Sequence, residues 1–388
     1  MELSLEAYRN IVKYVGNRSD IAMLCRVSKG FRYVAQRALY NTLYLRNVRS
    51  TISLCGLLAR EPHLATLVDA LTISFSGEQE GGSDDDSSES GSDEGEASSQ
   101  PPSVSEYWAA VAPALRQTVR LRYLNIHIHN SDTAVAWILN NCTFHLRSFH
   151  CDLDWDMHLV SFLNTQPDLD DLYILDYKDP NHAPQPTVSS TDSPIRLLPS
   201  ALPKLSTLEC TFSEAAVALV PGRPVTHLKS CFSRTRLEEK QAEVSLLFSK
   251  IKLSTRRLKA LDIADSSYTE TFSMDLLQHV IRTRATVTEL RYLGTLVLPI
   301  GGQERLQFYG LLMRLPRVQC VEVEVTHWEP PPSALTAFRA LTLELRLYCP
   351  TVTRVVFVYE FDRTVISVVD GLCVLDHDTS TDILWSEI

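Results

Sequence analysis

LRYLNI, residues 121–126, is the stretch that decides the fold. It recurs as LRSFHC (146–151), LDDLYI (169–174), LSTLEC (205–210), VTHLKS (225–230), LKALDI (258–263), VTELRY (287–292), VQCVEV (318–323) and VTRVVF (352–357). Each has the form Φ-x-x-Φ-x-Φ, with Φ apolar. ALTISF, with Leu71 at the second Φ, adds an earlier copy. Down the columns, the second Φ is Leu124, Phe149, Leu172, Leu208, Leu228, Leu261, Leu290, Val321 and Val355. Two residues on, only Ser230 is not apolar or aromatic. The residue between is mostly polar: Asn125, His150, Tyr173, Glu209, Lys229, Asp262, Arg291, Glu322 and Val356. A strand buried on one face requires this alternation, because successive side chains point to opposite faces.

From Leu124 onward, successive copies lie 20 to 36 residues apart, the range of leucine-rich-repeat-like units. The stretches between them carry helical spacing. Val244, Leu247, Phe248 and Ile251 share one face, as do Leu159, Phe162 and Leu163, and Leu277, Val280 and Ile281 behind a Ser273 cap. Pro167, Pro203, Pro316 and Pro350 stand two residues before a copy and mark the switch into extended chain. The expected fold is therefore α/β: an irregular leucine-rich-repeat-like solenoid with a concave parallel sheet and convex helices. The expected parts are a helical segment over 1–45, a first repeat over 46–75, an insertion over 76–106, the array over 107–360 and a cap over 361–388. In the cap, Asp370-Gly371 between two apolar runs predicts a hairpin. Ile383, Leu384 and Trp385 are expected to cover the last repeat.

The insertion explains the charge. The chain has 388 residues and a formal net charge of −10. Nine acids and no base lie between Gly77 and Gln100; without them 37 bases face 38 acids. The remainder has no positive excess to neutralise phosphates, so nucleic acid is not expected as a partner. The insertion lacks the apolar side chains to offset ordering and reads as a disordered loop. Ser83 and Ser90, each with an Asp three residues on, are candidate phosphorylation sites. The insertion could also attract basic partners.

The nine cysteines are scattered and form no Cys-x-x-Cys pair, which reads as a reduced compartment. With no basic start leading into an apolar run, and no apolar run of about 18 residues, the expected location is intracellular, cytoplasmic or nuclear, without a membrane partner. His127, His129, Cys142, His145, His150, Cys151 and His158 cluster loosely. In the expected register they diverge, so neither a metal nor another cofactor is assigned. No nucleophile elbow or phosphate loop occurs, and no catalytic residue is assigned.

Residues 3–45 differ from the repeats. Tyr8, Ile11, Val12 and Val15 fall on one helical face; Ser19-Asp20 offers a cap ahead of Ile21, Leu24, Val27 and Phe31. Leu3, Glu6, Ile11, Asp20-Ile21, Leu24, Val27-Ser28-Lys29, Phe31, Ala35 and Leu39-Tyr40 match the pattern of an F-box, with Ser4 where that family has Pro. With a repeat array behind it, the chain resembles fungal F-box proteins with a leucine-rich-repeat-like domain. The resemblance implies a non-enzymatic substrate-recognition subunit of a cullin–RING ubiquitin ligase. Leu3, Ser4, Ile11, Val15, Leu24, Val27 and Phe31 would then meet the Skp-type adaptor. An unknown protein substrate would lie on the concave row Asn125, His150, Tyr173, Glu209, Lys229, Asp262, Arg291 and Glu322, whose mixed signs suit a protein epitope. The alternative is a repeat-type interaction scaffold without a ligase role.

Overall fold

The computed structural model describes residues 3–76, 102–129, 134–175, 197–264, 269–329, 334–360 and 362–388. They contain fourteen helices and thirteen strands, and all but the last two strands pair in parallel. Two compact units divide at Pro167/Asp168, inside the stretch expected to be one array, with residues 197–201 joining the first unit. Most of the acidic insertion, Ser83 and Ser90 included, lies outside the described residues.

The first unit opens with α1 (Leu5–Tyr14), α2 (Arg18–Leu24) and α3 (Lys29–Tyr40). Then come β1 (Thr42–Leu45), α4 (Val48–Arg60), α5 (Pro62–Ala65) and β2 (Ala70–Ser76). After the insertion follow α6 (Val104–Gln117), β3 (Tyr123–His129), a 3-10 turn (Ala136–Leu139), β4 (Ser148–Cys151) and α7 (Met157–Asn164). Strands β1 to β4 pair in chain order, with Leu43, Leu71, Leu124 and Phe149 in one register. The exit from the helical segment is thus itself a strand, preceded by Tyr40 at the first Φ place. The insertion ends earlier than expected. Ser103 accepts from the Glu106 amide while the Glu106 carboxylate accepts from the Ser103 amide, and this capping box starts α6 at Val104. Tyr107 and Trp108 of α6 then pack on Phe75 of β2, with ring centroids 4.8 and 5.7 Å away.

The second unit holds β5 (Asp171–Ile174), β6 (Thr207–Phe212), α8 (Ser213–Leu219), β7 (His227–Cys231) and α9 (Leu237–Ile251). It continues with β8 (Ala260–Ala264), α10 (Glu270–Arg282), α11 (Arg284–Val287), β9 (Tyr292–Val297) and α12 (Gly302–Leu312). Next come β10 (Cys320–Glu324), α13 (Leu335–Tyr348) and β11 (Arg354–Tyr359). Last are β12 (Asp362–Val369), β13 (Leu372–Asp376) and the one-turn α14 (Leu384–Glu387). Strands β5 to β11 pair in parallel and in chain order. Helix followed by parallel strand, repeated in each unit, is compatible with an α/β solenoid. The prolines at 167, 203, 316 and 350 all sit in turns ahead of strands. The hairpin forms as expected: Asp370 (φ 52°) and Gly371 (φ 82°) join antiparallel β12 and β13.

Three expectations need correction. First, the copy at 287–292 is misregistered by three residues. Leu293, not Leu290, pairs with Leu261 and Val321. Leu290 takes the first Φ position, so Arg291 precedes the strand and Gly294 occupies the intervening place. β9 then carries one extra residue, because Val323 pairs with Leu296. The bulge breaks the Φ-x-Φ spacing of this copy.

Second, the cap of α10 is Thr269, which accepts from the Phe272 amide. Ser273 is buried instead, and its hydroxyl accepts from the Val297 amide at 2.9 Å, tying the helix to the end of β9. Likewise Asn17, not Ser19, caps α2.

Third, the C-terminal tail reaches beyond the last repeat. Leu384 and Trp385 are buried against Ala260, Tyr292, Cys320, Val356 and Val365, while Ile383 stays exposed. Ala260 alternates with Leu261, and Val356 with Val355 and Phe357. The tail therefore lies on the sheet face opposite the one carrying the repeat leucines. With both faces covered, every residue of β9 and β10 is buried.

Candidate functional site

The predicted residues fall on the helical segment of the first unit and on the strands of each unit. In the first unit, α1 and α2 pack on α3, and α3 packs on β1 and α5. Ser4 caps α1 by accepting from the Ala7 amide, and Ser28 caps α3 by accepting from the Phe31 amide. Tyr8, Val12, Val34 and Ala35 form a small core, joined by half-buried Ile21, Leu24, Cys25 and Phe31. The Tyr8 and Phe31 rings meet edge to face at 4.6 Å. A Cβ on Gly30 would lie 2.5 Å from the Tyr8 ring, so glycine lets that ring seat against α3.

Of the seven residues assigned to an adaptor, Leu3, Ser4, Ile11 and Val27 are exposed and Val15 is half-buried. Leu24 and Phe31 are spent on the helices' own core, because the period that marks a docking face also marks an internal one. Sequence reasoning missed Leu5, Tyr14, Met23 and Tyr33, which are exposed as well. Tyr14 is 85% and Val27 65% exposed. Apolar residues off the internal stripe were the available signal.

The strand residues follow from alternation. In the first unit, Asn125 and His150 lie side by side on β3 and β4, next to Thr72 of β2. In the second unit, Tyr173, Glu209, Lys229 and Asp262 occupy matching positions on β5 to β8. Lys229 Nζ pairs with Glu209 Oε1 at 2.9 Å and lies 5.7 Å from the centroid of the Trp385 ring.

From β8 onward the row leaves solvent. Asp262 is 5% and Glu322 1% exposed, and Arg291 is outside the row. These three do not belong to an open epitope. The first two lie with the residues covered by the tail, and the third is displaced by the register of β9.

The buried carboxylates are held differently. Glu322 accepts from the Tyr292 hydroxyl at 2.9 Å and from the Thr295 hydroxyl at 2.8 Å, and pairs with Arg363 at 3.2 Å. Asp262 lies over Gly294, where a Cβ would come within 2.0 Å of its Oδ1. Burial, reinforced by the neighbouring Glu322 charge and only partly opposed by Lys229 and Arg363, pushes the Asp262 carboxyl up to about 7. Burial also raises the Tyr292 hydroxyl, with help from Asp262 and Glu322.

Among the described residues no group of three His, Cys, Asp or Glu side chains is arranged to hold a metal ion. His127 pairs with Asp152 at 3.5 Å and His158 with Asn140 at 3.0 Å. All nine cysteines are free thiols. No helix among the described residues is long and apolar enough to cross a membrane. Compared with known proteins, the chain matches no family model and no curated protein.

Proposed function

We propose that the chain is a non-catalytic substrate-recognition subunit of a cullin–RING ubiquitin ligase, working inside the cell. Helices α1 to α3 bind the Skp-type adaptor, and the sheet face of the repeats holds a protein substrate. The supporting observation is the exposure of Leu3, Leu5, Ile11, Tyr14, Met23, Val27 and Tyr33 on a short helical segment whose own core is satisfied without them. Water-exposed apolar side chains at this density suit an interface. They come from the segment that resembles an F-box.

The test is a pull-down of a purified Skp-type adaptor by the full chain. Met23→Asp with Val27→Asp is the informative variant, because both positions are exposed and the helical core stays intact. Binding by wild type and its loss in the double variant, at equal helicity, support the reading. A folded wild-type chain that binds no adaptor refutes it and leaves an interaction scaffold without a ligase role.

A further inference from the structure

The C-terminal tail occupies a surface that the repeats would otherwise present. Ala260, Tyr292, Cys320, Val356 and Val365 form an apolar seat on the sheet face opposite the repeat leucines, and Leu384 and Trp385 fill it with Ile388 packed alongside. Two cations, already paired with Glu209 and Glu322, stand beside the occupant. Lys229 faces the Trp385 ring at 5.7 Å, and Arg363 approaches Asp382 at 3.9 Å. The occupant itself, Asp382-Ile-Leu-Trp-Ser-Glu387, places an aliphatic–aromatic pair between acids.

The tail's attachment is slight. α14 is a single turn without a side-chain cap, too short to persist by itself. Asp382 is 89% exposed, so its pairing with Arg363 is screened by solvent. The hold therefore rests on Leu384 and Trp385.

We propose that this seat is a peptide-binding site whose resident ligand is the chain's own C-terminus. Its outside ligand is a peptide segment carrying an aliphatic–tryptophan pair, which binds when the tail lifts. Tryptophan fills the seat and faces Lys229, and the acid three residues before it approaches Arg363. The inference rests on reading the sheet face as the recognition surface and does not depend on the adaptor.

The probe is a fluorescein-labelled synthetic peptide of residues 381–388, TDILWSEI, titrated into full-length protein. Wild type competes through its own tail; Trp385→Ala weakens that competition. The variant is expected to bind the peptide at least tenfold more tightly than wild type. A peptide with alanine in place of the tryptophan should not bind. Adaptor capture, measured on the same samples, should be equal in both proteins, so failure of the adaptor reading registers separately. A folded Trp385→Ala chain that binds the peptide no better than a scrambled sequence overturns the proposal.

Should that variant fail to fold, amide exchange on the wild-type chain decides the question. Residues 384–388 are expected to exchange at least tenfold faster than β8 to β10 through local opening. Equal protection of tail and strands overturns the proposal.

Discussion

Asp262→Asn is the most informative single change in the second unit. The carboxyl lies on β8, 5% exposed, with Glu322 among its neighbours and Gly294 beneath it. Its value in the fold is about 7, against an ordinary 3.8. A carboxyl raised in this way binds its proton more tightly folded than unfolded, so its contribution to stability is full below about pH 4. That contribution is lost as pH rises towards 7 and stays lost above it.

A shift of this size corresponds to on the order of 4 kcal/mol between the two ends of the window. Asparagine mimics the protonated form in shape and carries no charge at any pH. Its advantage over wild type is therefore expected to grow by about 4 kcal/mol from pH 4 to pH 8. For a unit of this size that is a widening of the Tm difference by roughly 8–16 °C over the same range. Thermal unfolding of wild type and variant between pH 4 and pH 8 measures it, and the difference between the two curves isolates this group from the other carboxylates. A difference that stays flat, or that favours wild type as pH rises, would refute the account of Asp262 as a carboxylate buried at a cost.

Other outcomes follow from the same geometry. Gly294→Ala places a Cβ 2.0 Å from Asp262 Oδ1 and should cost about 1–3 kcal/mol; the cost should shrink in the double variant with Asp262→Ala, read from urea midpoints. Ser273→Ala leaves the Val297 amide without its 2.9 Å acceptor and should cost about 1–3 kcal/mol by the same assay. Burial pushes the Cys151 and Cys210 thiols up to about 12, so mass spectrometry should find both unmodified after maleimide treatment of the folded chain at pH 8 and modified after unfolding.

Much of the architecture was legible because a strand buried on one face writes its period into the chain. The column through Leu124, Phe149, Leu172, Leu208, Leu228, Leu261, Val321 and Val355 predicted the repeated parallel strands. The Asp370-Gly371 turn predicted the hairpin because few residues accept positive φ at both turn positions. The helical faces of α7, α9 and α10 followed from i, i+3, i+4 spacing.

The period says which residues share a face, but not what covers that face. Asp262 and Glu322 alternate as solvent-facing residues should, yet both are buried, alongside a seat filled by a tail more than sixty residues further on. Leu24 and Val27 belong to one pattern, but only tertiary packing sends the first inward and leaves the second in water. The one-residue bulge in β9, which removed Arg291 from the row, is set by pairing with β10 rather than by local composition. Local periodicity thus determined the strands, the helices and the order of the repeats. Long-range return of the chain decided which of their faces remain open to a partner, because burial depends on the neighbour that arrives.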